Sequence, residues 1–416
     1  MTACGLDFGT SNTTLGVTVG GRPALLSLEG VETTIPSAIF FAPQAAPKVG
    51  RAAMSAYLDG EAGRLMRSLK SVLGTSLIDE ATQVGRERVK FREVIARYLA
   101  IVKRRAETVA GREIDCVTHG RPVHFVDGDD EADARAEETL REIASSVGFR
   151  EVSFQYEPVA AALDYEREAA REELALIADI GGGTSDFSVV RIGPDRKGRD
   201  DRRGDVLANE GVRVGGVDFD RRLSLGSVMP LLGMGSPMKR RELEAPSVYF
   251  HDLATWSSIN RLYDGRALRQ IREVRRDSAR PDLIDRLIRA VEDERGHGLA
   301  AAVEGAKIAL SDGQETEIAL GWAEPGLSAS VRREAFERHT EALGGKIAER
   351  IRRCLASAGL AADQIDAVFL TGGSTRIPHV RAAILAETPD ARVVEGDIFG
   401  AVGTGLTIEA ARRYGG

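Results

Sequence analysis

Apolar runs of strand length alternate with longer amphipathic stretches along the chain, which predicts an α/β protein. The opening run reaches Leu6-Asp7-Phe8, turns through Gly9-Thr10-Ser11-Asn12 and returns from Leu15 to Val19. A later run does the same, passing Ala178-Asp179-Ile180, turning through Gly181-Gly182-Gly183-Thr184 and returning from Phe187 to Ile192. Each reads as a strand, a tight turn and a returning strand. Further strands are predicted at Ala24 to Leu28, Ile35 to Phe41, Asp115 to His119, Val152 to Tyr156, Val206 to Val214 and Ala367 to Thr371. The charged stretch from about Ala52 to Ala110 reads as helical and ends in a basic helix, Phe91 to Val109. Glu131 to Val147 carries Leu140, Ile143 and Val147 on one face and closes at Gly148. Glu157-Pro158 opens the next helix with proline in its first turn. The second half adds a helix-rich block ending near Gly313, with one long amphipathic helix near Leu283 to Leu310. Helices from Arg332 to Ala358 and around Phe399 to Tyr414 complete the pattern. Gly193 to Asp205, crowded with Asp, Arg and Gly, reads as a solvated hairpin loop.

The two Asp-containing turns carry chemistry. Glycine lets successive backbone N–H groups point into one concavity, and Thr10, Ser11, Thr184 and Ser185 add hydroxyl donors that suit anionic oxygens. Asp7 and Asp179 precede these turns and so lie beside any phosphate held there. A carboxylate against polyphosphate is repulsive unless a divalent cation intervenes, and Mg²⁺ is held by one or two carboxylates plus waters and phosphates. Two such hairpins predict a nucleotide gripped by two similar halves.

Composition narrows the classes. A net charge of −7 excludes a broad nucleic-acid-binding face. Cys4, Cys116 and Cys354 are odd in number and widely spaced, without metal or disulfide spacing, so a reducing compartment is expected. Neither a cleavable signal nor an apolar run of membrane-spanning length is present, and a cytoplasmic location with no membrane partner is expected.

With a third glycine turn, Gly372-Gly373-Ser374-Thr375-Arg376-Ile377-Pro378, after a strand, the chain resembles the superfamily of actin, sugar kinases and heat-shock chaperone ATPases. Within it, the motifs resemble the ATPase domain of the heat shock protein 70, DnaK-type, chaperones over nearly the whole chain, least from about Leu231 to Glu292. The resemblance implies an actin-like ATPase fold, with a mixed, helix-flanked sheet in each of two lobes and a helical insertion in the second. Lobe I would cover 1–170, with 35–112 as its outer subdomain and 391–416 returning to it. Lobe II would cover 171–390, with about 217–335 as its outer subdomain.

Residue by residue, the resemblance implies that Asp7 and Asp179 hold Mg²⁺ through water, with Gly9, Thr10, Ser11, Asn12 and the Gly181, Gly182, Gly183, Thr184 turn around the phosphates of ATP or ADP. Lys70, in Leu69-Lys70-Ser71-Val72-Leu73-Gly74, matches the lysine that reaches the γ-phosphate and attacking water. Glu157, in Glu157-Pro158-Val159-Ala160-Ala161-Ala162, resembles a hinge glutamate near the metal. Asp179 or Asp186 would orient water, and Thr184 would supply a hydroxyl near the γ-phosphate. Gly215, Gly216, Gly372, Gly373, Ser374 and Arg376 are assigned to the nucleotide, with the glycine backbone flat against the purine and Arg376 stacked on it. Glu304, Lys307 and Ser311 would bind ribose and adenine, and Asp397 would close the lower cleft. Ile308 stands where the family typically carries a second arginine over adenine.

A slowly hydrolysing, Mg²⁺-dependent chaperone-like switch is the leading expectation. A small-molecule kinase, a nucleotide sensor and an actin-like assembly protein are the alternatives. The chain stops at Gly416 just after its closing helix, so an ATPase-only relative without a peptide-binding domain is expected. Unfolded polypeptide or a separate protein would be its partner beside the nucleotide; the basic clusters Lys239-Arg240-Arg241 and Arg275-Arg276 read as charged surface faces of helices, with contact to a partner as the alternative.

Overall fold

The computed structural model describes residues 2–84, 87–126, 128–167, 169–240, 242–394 and 400–415. They form two compact units, the first of Met1–Val212, Arg350–Gly373 and Leu385–Gly416, the second of Arg213–Glu349 and Ser374–Ile384.

Two sheets of one connectivity dominate the first unit. In the first, Ala3–Phe8 (β1) pairs antiparallel with Asn12–Val19 (β2), which pairs antiparallel with Arg22–Leu25 (β3). On its other side β1 runs parallel to Cys116–Arg121 (β4), itself parallel to Glu151–Tyr156 (β5). In the second, Glu173–Ile180 (β6) pairs antiparallel with Ser185–Ile192 (β7), and β7 with Val206–Val212 (β8). Here β6 runs parallel to Ala367–Thr371 (β9), itself parallel to Arg392–Val394 (β10). Both sheets therefore have an antiparallel hairpin at the centre and parallel strands on one side.

Parallel neighbours need long crossovers, and helices supply them. Phe91–Ala110 (α1) presents Val94, Ile95, Tyr98, Leu99, Val102 and Ala106 at helical spacing to the core over the first sheet. Asp130–Ser146 (α2) adds Ala136, Leu140, Ile143 and Ala144 to the same core. Glu157–Glu166 (α3) and Ala401–Tyr414 (α4) pack against each other, and α4 also lies across β1 and β2. A methyl group on Gly405 of α4 would overlap the carbonyl of Ala160 in α3, so the crossing needs a residue without Cβ.

Three expectations are corrected. The stretch before α1 is not continuously helical: after the helix Arg51–Leu58 come the strand Arg64–Arg67, short 3-10 turns Leu69–Val72 and Ser76–Asp79, and the hairpin Ala81–Val84 with Glu87–Lys90. Gly60 and Gly74, both at positive φ, break the helical path. The single helix expected near Leu283 to Leu310 is two, Pro281–Glu292 and Gly296–Asp312. Between them Glu294 turns left-handed, and the Gly296 amide donates to the Tyr263 hydroxyl at 3.0 Å. The Gly193 to Asp205 loop is not wholly solvated, because Arg202 and Asp205 are buried and Arg202 donates both to Asp205 and to Glu166 at the end of α3.

The second unit is mostly helical and includes Gly216–Ser227, Gly265–Asp277, Pro281–Glu292 and Gly296–Asp312. It also holds a hairpin, Glu315–Ala319 with Ser328–Arg332, that the apolar pattern did not announce because the two short strands bury just Ile318 in one and Ala329 and Val331 in the other.

Candidate functional site

The two glycine turns of the first unit are closed by matching hydrogen bonds. The Gly9 amide donates to the Asn12 carbonyl at 2.9 Å, and the Gly181 amide to the Thr184 carbonyl at 3.0 Å. Two residues before each closing bond sits an aspartate, Asp7 or Asp179. The turns also meet: a Cβ on Gly182 would run into the Ser11 hydroxyl. Behind the first turn Ser37 donates to the Gly9 carbonyl at 2.7 Å, and its backbone amide to the Ser11 carbonyl at 2.8 Å. The fully buried Tyr98 donates to Thr13, which in turn meets Ser37 at 2.9 Å. Ser37 and Tyr98 were missed in the sequence, since neither lies in a glycine motif.

Lys70 lies in the 3-10 turn Leu69–Val72, entered through a left-handed Ser68, and only 9% of its side chain is exposed. It is not a solvated helix lysine. Its ammonium donates to Glu157, the first residue of α3, in a short ion pair. Gly120, at the end of β4, gives that pair room, because its Cβ would sit 3.3 Å from the Glu157 carboxylate. Burial pulls the lysine down, but Glu157, Asp7 and Asp179 outweigh it and hold Lys70 above its ordinary value.

The carboxylates behave oppositely. Asp7 is pushed up to about 7 by burial, then by Glu157 and Asp179, with Lys70 opposing. Asp179 is raised to about 6 by burial and Glu157, tempered by its register partner Thr371 and by Lys70. Asp186 is raised to about 7 by loss of water on its inner side, then by Asp179 and Glu157, while Thr184 donates to it at 3.2 Å. Gly372, at φ 78°, approaches the same place: its Cβ would lie 2.8 Å from the Asp179 carboxylate. Only a glycine serves there.

One lysine thus faces four acids, a set short of positive charge. Among the described residues no group of three or more His, Cys, Asp and Glu can grip an ion directly. Acceptor-only carboxylates that repel one another, yet do not chelate, fit a divalent cation held through its own water. The cluster continues into a cavity lined by Glu157, Asp179, Asp186, Ser188, Asn209 and Thr371.

The remaining assigned residues fall mostly in the second unit. Gly215 and Gly216 open the helix Gly216–Ser227, with the Gly215 amide bonded to Asp218 at 3.0 Å. Lys307 is buried and committed to Asp220 at 2.9 Å and to the Gly216 carbonyl. Glu304 and Ile308 are exposed on the outer face of Gly296–Asp312, and Ser311 donates to the Lys307 carbonyl. Arg376 meets Asp312, one turn beyond Ile308, at 3.3 Å. Of the third glycine turn, Gly372 and Gly373 belong to the first unit, and Ser374 and Arg376 to the second. Asp397 lies outside the described residues.

Twin sheets with matching turns and an acid cluster beside a buried lysine define an actin-like ATPase fold. The chain belongs to the Hsp70 family: the family's model, described as Hsp70 protein, matches residues 80–225 and 288–411. Its gap, 226–287, falls in the helical block. The chain is 28% identical over 431 residues to the chaperone protein HscA homolog of Azotobacter vinelandii (strain DJ / ATCC BAA-1303), across 97% of its own length. It spans 57% of that relative's length. Among the described residues no helix is long and apolar enough to cross a membrane.

Proposed function

We propose that this chain binds ATP and ADP with Mg²⁺ and hydrolyses ATP slowly, as the nucleotide-responsive part of a cytoplasmic chaperone with the lobe division stated above. The observation that carries the reading is the buried Lys70–Glu157 pair set against Asp7, Asp179 and Asp186 at two matched glycine turns. Family membership supports it. A protein partner, unfolded polypeptide or a separate chain, is part of the proposal; nucleic acid and membrane are not.

Asp7 and Asp179 would hold Mg²⁺ through water. Bound there, the ion would neutralise the repulsion between these carboxylates and the phosphates and spread the charge of the transferring group. The Gly9 and Gly181 amides close the turns, and the amides that follow them, Thr10 to Asn12 and Gly182 to Thr184, would donate to phosphate oxygens. Lys70, kept charged by Glu157, meets the negative charge that grows on the γ-phosphoryl oxygens. Asp186 or Asp179 orients the attacking water, and the Thr184 hydroxyl lies within reach of the same group. Gly215, Gly216, Glu304, Lys307, Ser311, Gly372, Gly373, Ser374, Arg376 and Asp397 are assigned the rest of the nucleotide. Lys307 serves through Asp220 and the Gly216 carbonyl, to which it is already bonded.

Thermal melting with ATP, ADP and Mg²⁺ tests binding, since a ligand at 100 times its Kd adds about 2.7 kcal/mol. Removing Mg²⁺ with EDTA should abolish most of the shift. Lys70→Ala should retain most ATP affinity while single-turnover hydrolysis falls by about 10²–10³, the loss of one preorganised donor. Equal melting shifts with and without Mg²⁺ sink the metal assignment, and unchanged turnover in Lys70→Ala sinks the catalytic one.

A further inference from the structure

The clusters Lys239-Arg240 and Arg275-Arg276 do come together, with the Lys239 ammonium on the Arg276 carbonyl, but Arg275 is spent on Asp285 and acids are interspersed throughout. The pocket lined by Arg121, Arg141, Arg202, Arg203 and Arg413 has each guanidinium engaged by a neighbouring acid or by Tyr156. The outer face of Gly296–Asp312 differs, because it exposes an apolar side chain, a carboxylate and a guanidinium together.

Ile308 is 57% exposed. Asp312 lies one helical turn further along the same face. The guanidinium of Arg376, reaching over from the 3-10 turn Gly373–Arg376, meets Asp312 at 3.3 and 3.5 Å, one nitrogen contacting both carboxylate oxygens. Such a contact leaves acceptor sites on the carboxylate unused, and Asp312 is 73% exposed. The helix end that carries it is fixed from behind, since Arg333 donates to the carbonyls of Leu310 at 2.9 Å and Ser311 at 3.2 Å.

Resting on the nucleotide reading above, we propose that Asp312 is a specificity-determining residue that selects a 6-aminopurine over a 6-oxopurine. A planar cation and an aliphatic side chain take any purine face and cannot tell one base from another. The edge is different. A 6-amino group is a donor and a 6-oxo group an acceptor. A carboxylate is acceptor-only, so it accepts from the first and repels the second. Asp312 also steadies Arg376 before the base arrives, and both effects act on the same ligand. Neither residue type nor spacing flagged it in the sequence, where it is one more acid at a helix end.

The test compares ADP with IDP, which exchanges the 6-amino for a 6-oxo group, by calorimetry on the full chain with Mg²⁺. The wild-type protein should prefer ADP by about tenfold or more. Asp312→Ala should bring the ratio close to one, chiefly by weakening ADP, and Asp312→Glu should restore part of the preference. Arg376→Ala should weaken both ligands while keeping some preference. A ratio unchanged in Asp312→Ala, with ADP still bound, overturns the assignment and leaves the nucleotide reading standing. Failure of the wild-type protein to bind either ligand overturns both.

Discussion

Asp186 occupies in the second hairpin the position that Thr14 holds in the first. Asp7 faces Thr14 across β1 and β2, and Asp179 faces Asp186 across β6 and β7, with the closing bonds of both turns at equivalent residues. The symmetry breaks at this one place in favour of a carboxylate. Thr14 is buried beneath Gly403 of α4, whereas Asp186 keeps an exposed edge, so only the second half has room for a water-orienting acid. Asp186→Asn should lower single-turnover ATP hydrolysis by about 10²-fold or more, the usual contribution of a positioned acid or base. ATP affinity, measured by titration, should change by less than about threefold. A loss of affinity without loss of turnover would assign Asp186 to binding instead.

The raised carboxylates predict the pH response of the unliganded protein. Asp7 and Asp179 release protons at about 7 and about 6 in the fold, against an ordinary value of 3.8. Between these limits the folded chain holds protons that the unfolded chain has already lost. Their contribution therefore favours folding at low pH, declines as pH rises from about 4 to about 7, and is flat above that. Urea unfolding in EDTA at pH 5.5 and pH 8 should show Asp7→Asn gaining on the wild-type protein at the higher pH, by on the order of 2 kcal/mol. The same pH dependence in both proteins would mean that the acid cluster carries no strain.

Close packing of α3 and α4 gives a prediction free of any ligand. Gly405→Ala pushes a methyl group into the Ala160 carbonyl, and because both partners are held in helices the strain has no easy release. Overpacking of this kind costs about 1–3 kcal/mol. Gly345, exposed within the helix Arg333–Ser357, meets nothing within 4 Å. Gly345→Ala should stabilise by about 0.5–1 kcal/mol through propensity alone. Thermal melting of the pair should move in opposite directions, and a silent Gly405→Ala would show that the two helices cross more loosely.

Much of the site was legible because its parts are local. Asp7 with Gly9, Asp179 with Gly181, and Glu157 with Pro158 each sit inside one short motif whose turn chemistry is set by neighbouring residues. What escaped is long-range. Ser37 and Tyr98 brace the first turn from 28 and 85 residues away, counted to Gly9 and Thr13, and nothing in their own surroundings marks them. The helical reading before α1 failed because its charged residues alternate with apolar ones ambiguously, and a glycine in sequence does not say whether it takes the positive φ that Gly60 and Gly74 adopt here. Gly193 to Asp205 looked solvated since composition records charge but not pairing.

That loop gives the last prediction. Arg202 is 2% exposed at its side chain and lies between Glu166, also 2%, and Asp205, 3%. Arg196 adds a second contact to Asp205 at 2.9 Å, and the Gly193 amide donates to Glu166 at 3.1 Å. The network fastens the connection between β7 and β8 to the end of α3, the helix that begins with Glu157. Two buried carboxylates share one fully desolvated guanidinium, so removing it leaves both without their main partner. Arg202→Ala should cost about 3–5 kcal/mol, the range for breaking one side of a buried ion pair. Arg280→Ala, which removes an exposed pair with Asp282, should leave the melting temperature unchanged. Adding Glu166→Gln to Arg202→Ala should recover part of the loss, because a neutral amide is cheaper to bury than an unpaired carboxylate. If Arg202→Ala melts with the wild-type protein, the loop is solvated after all and the ion pairs contribute nothing to the fold.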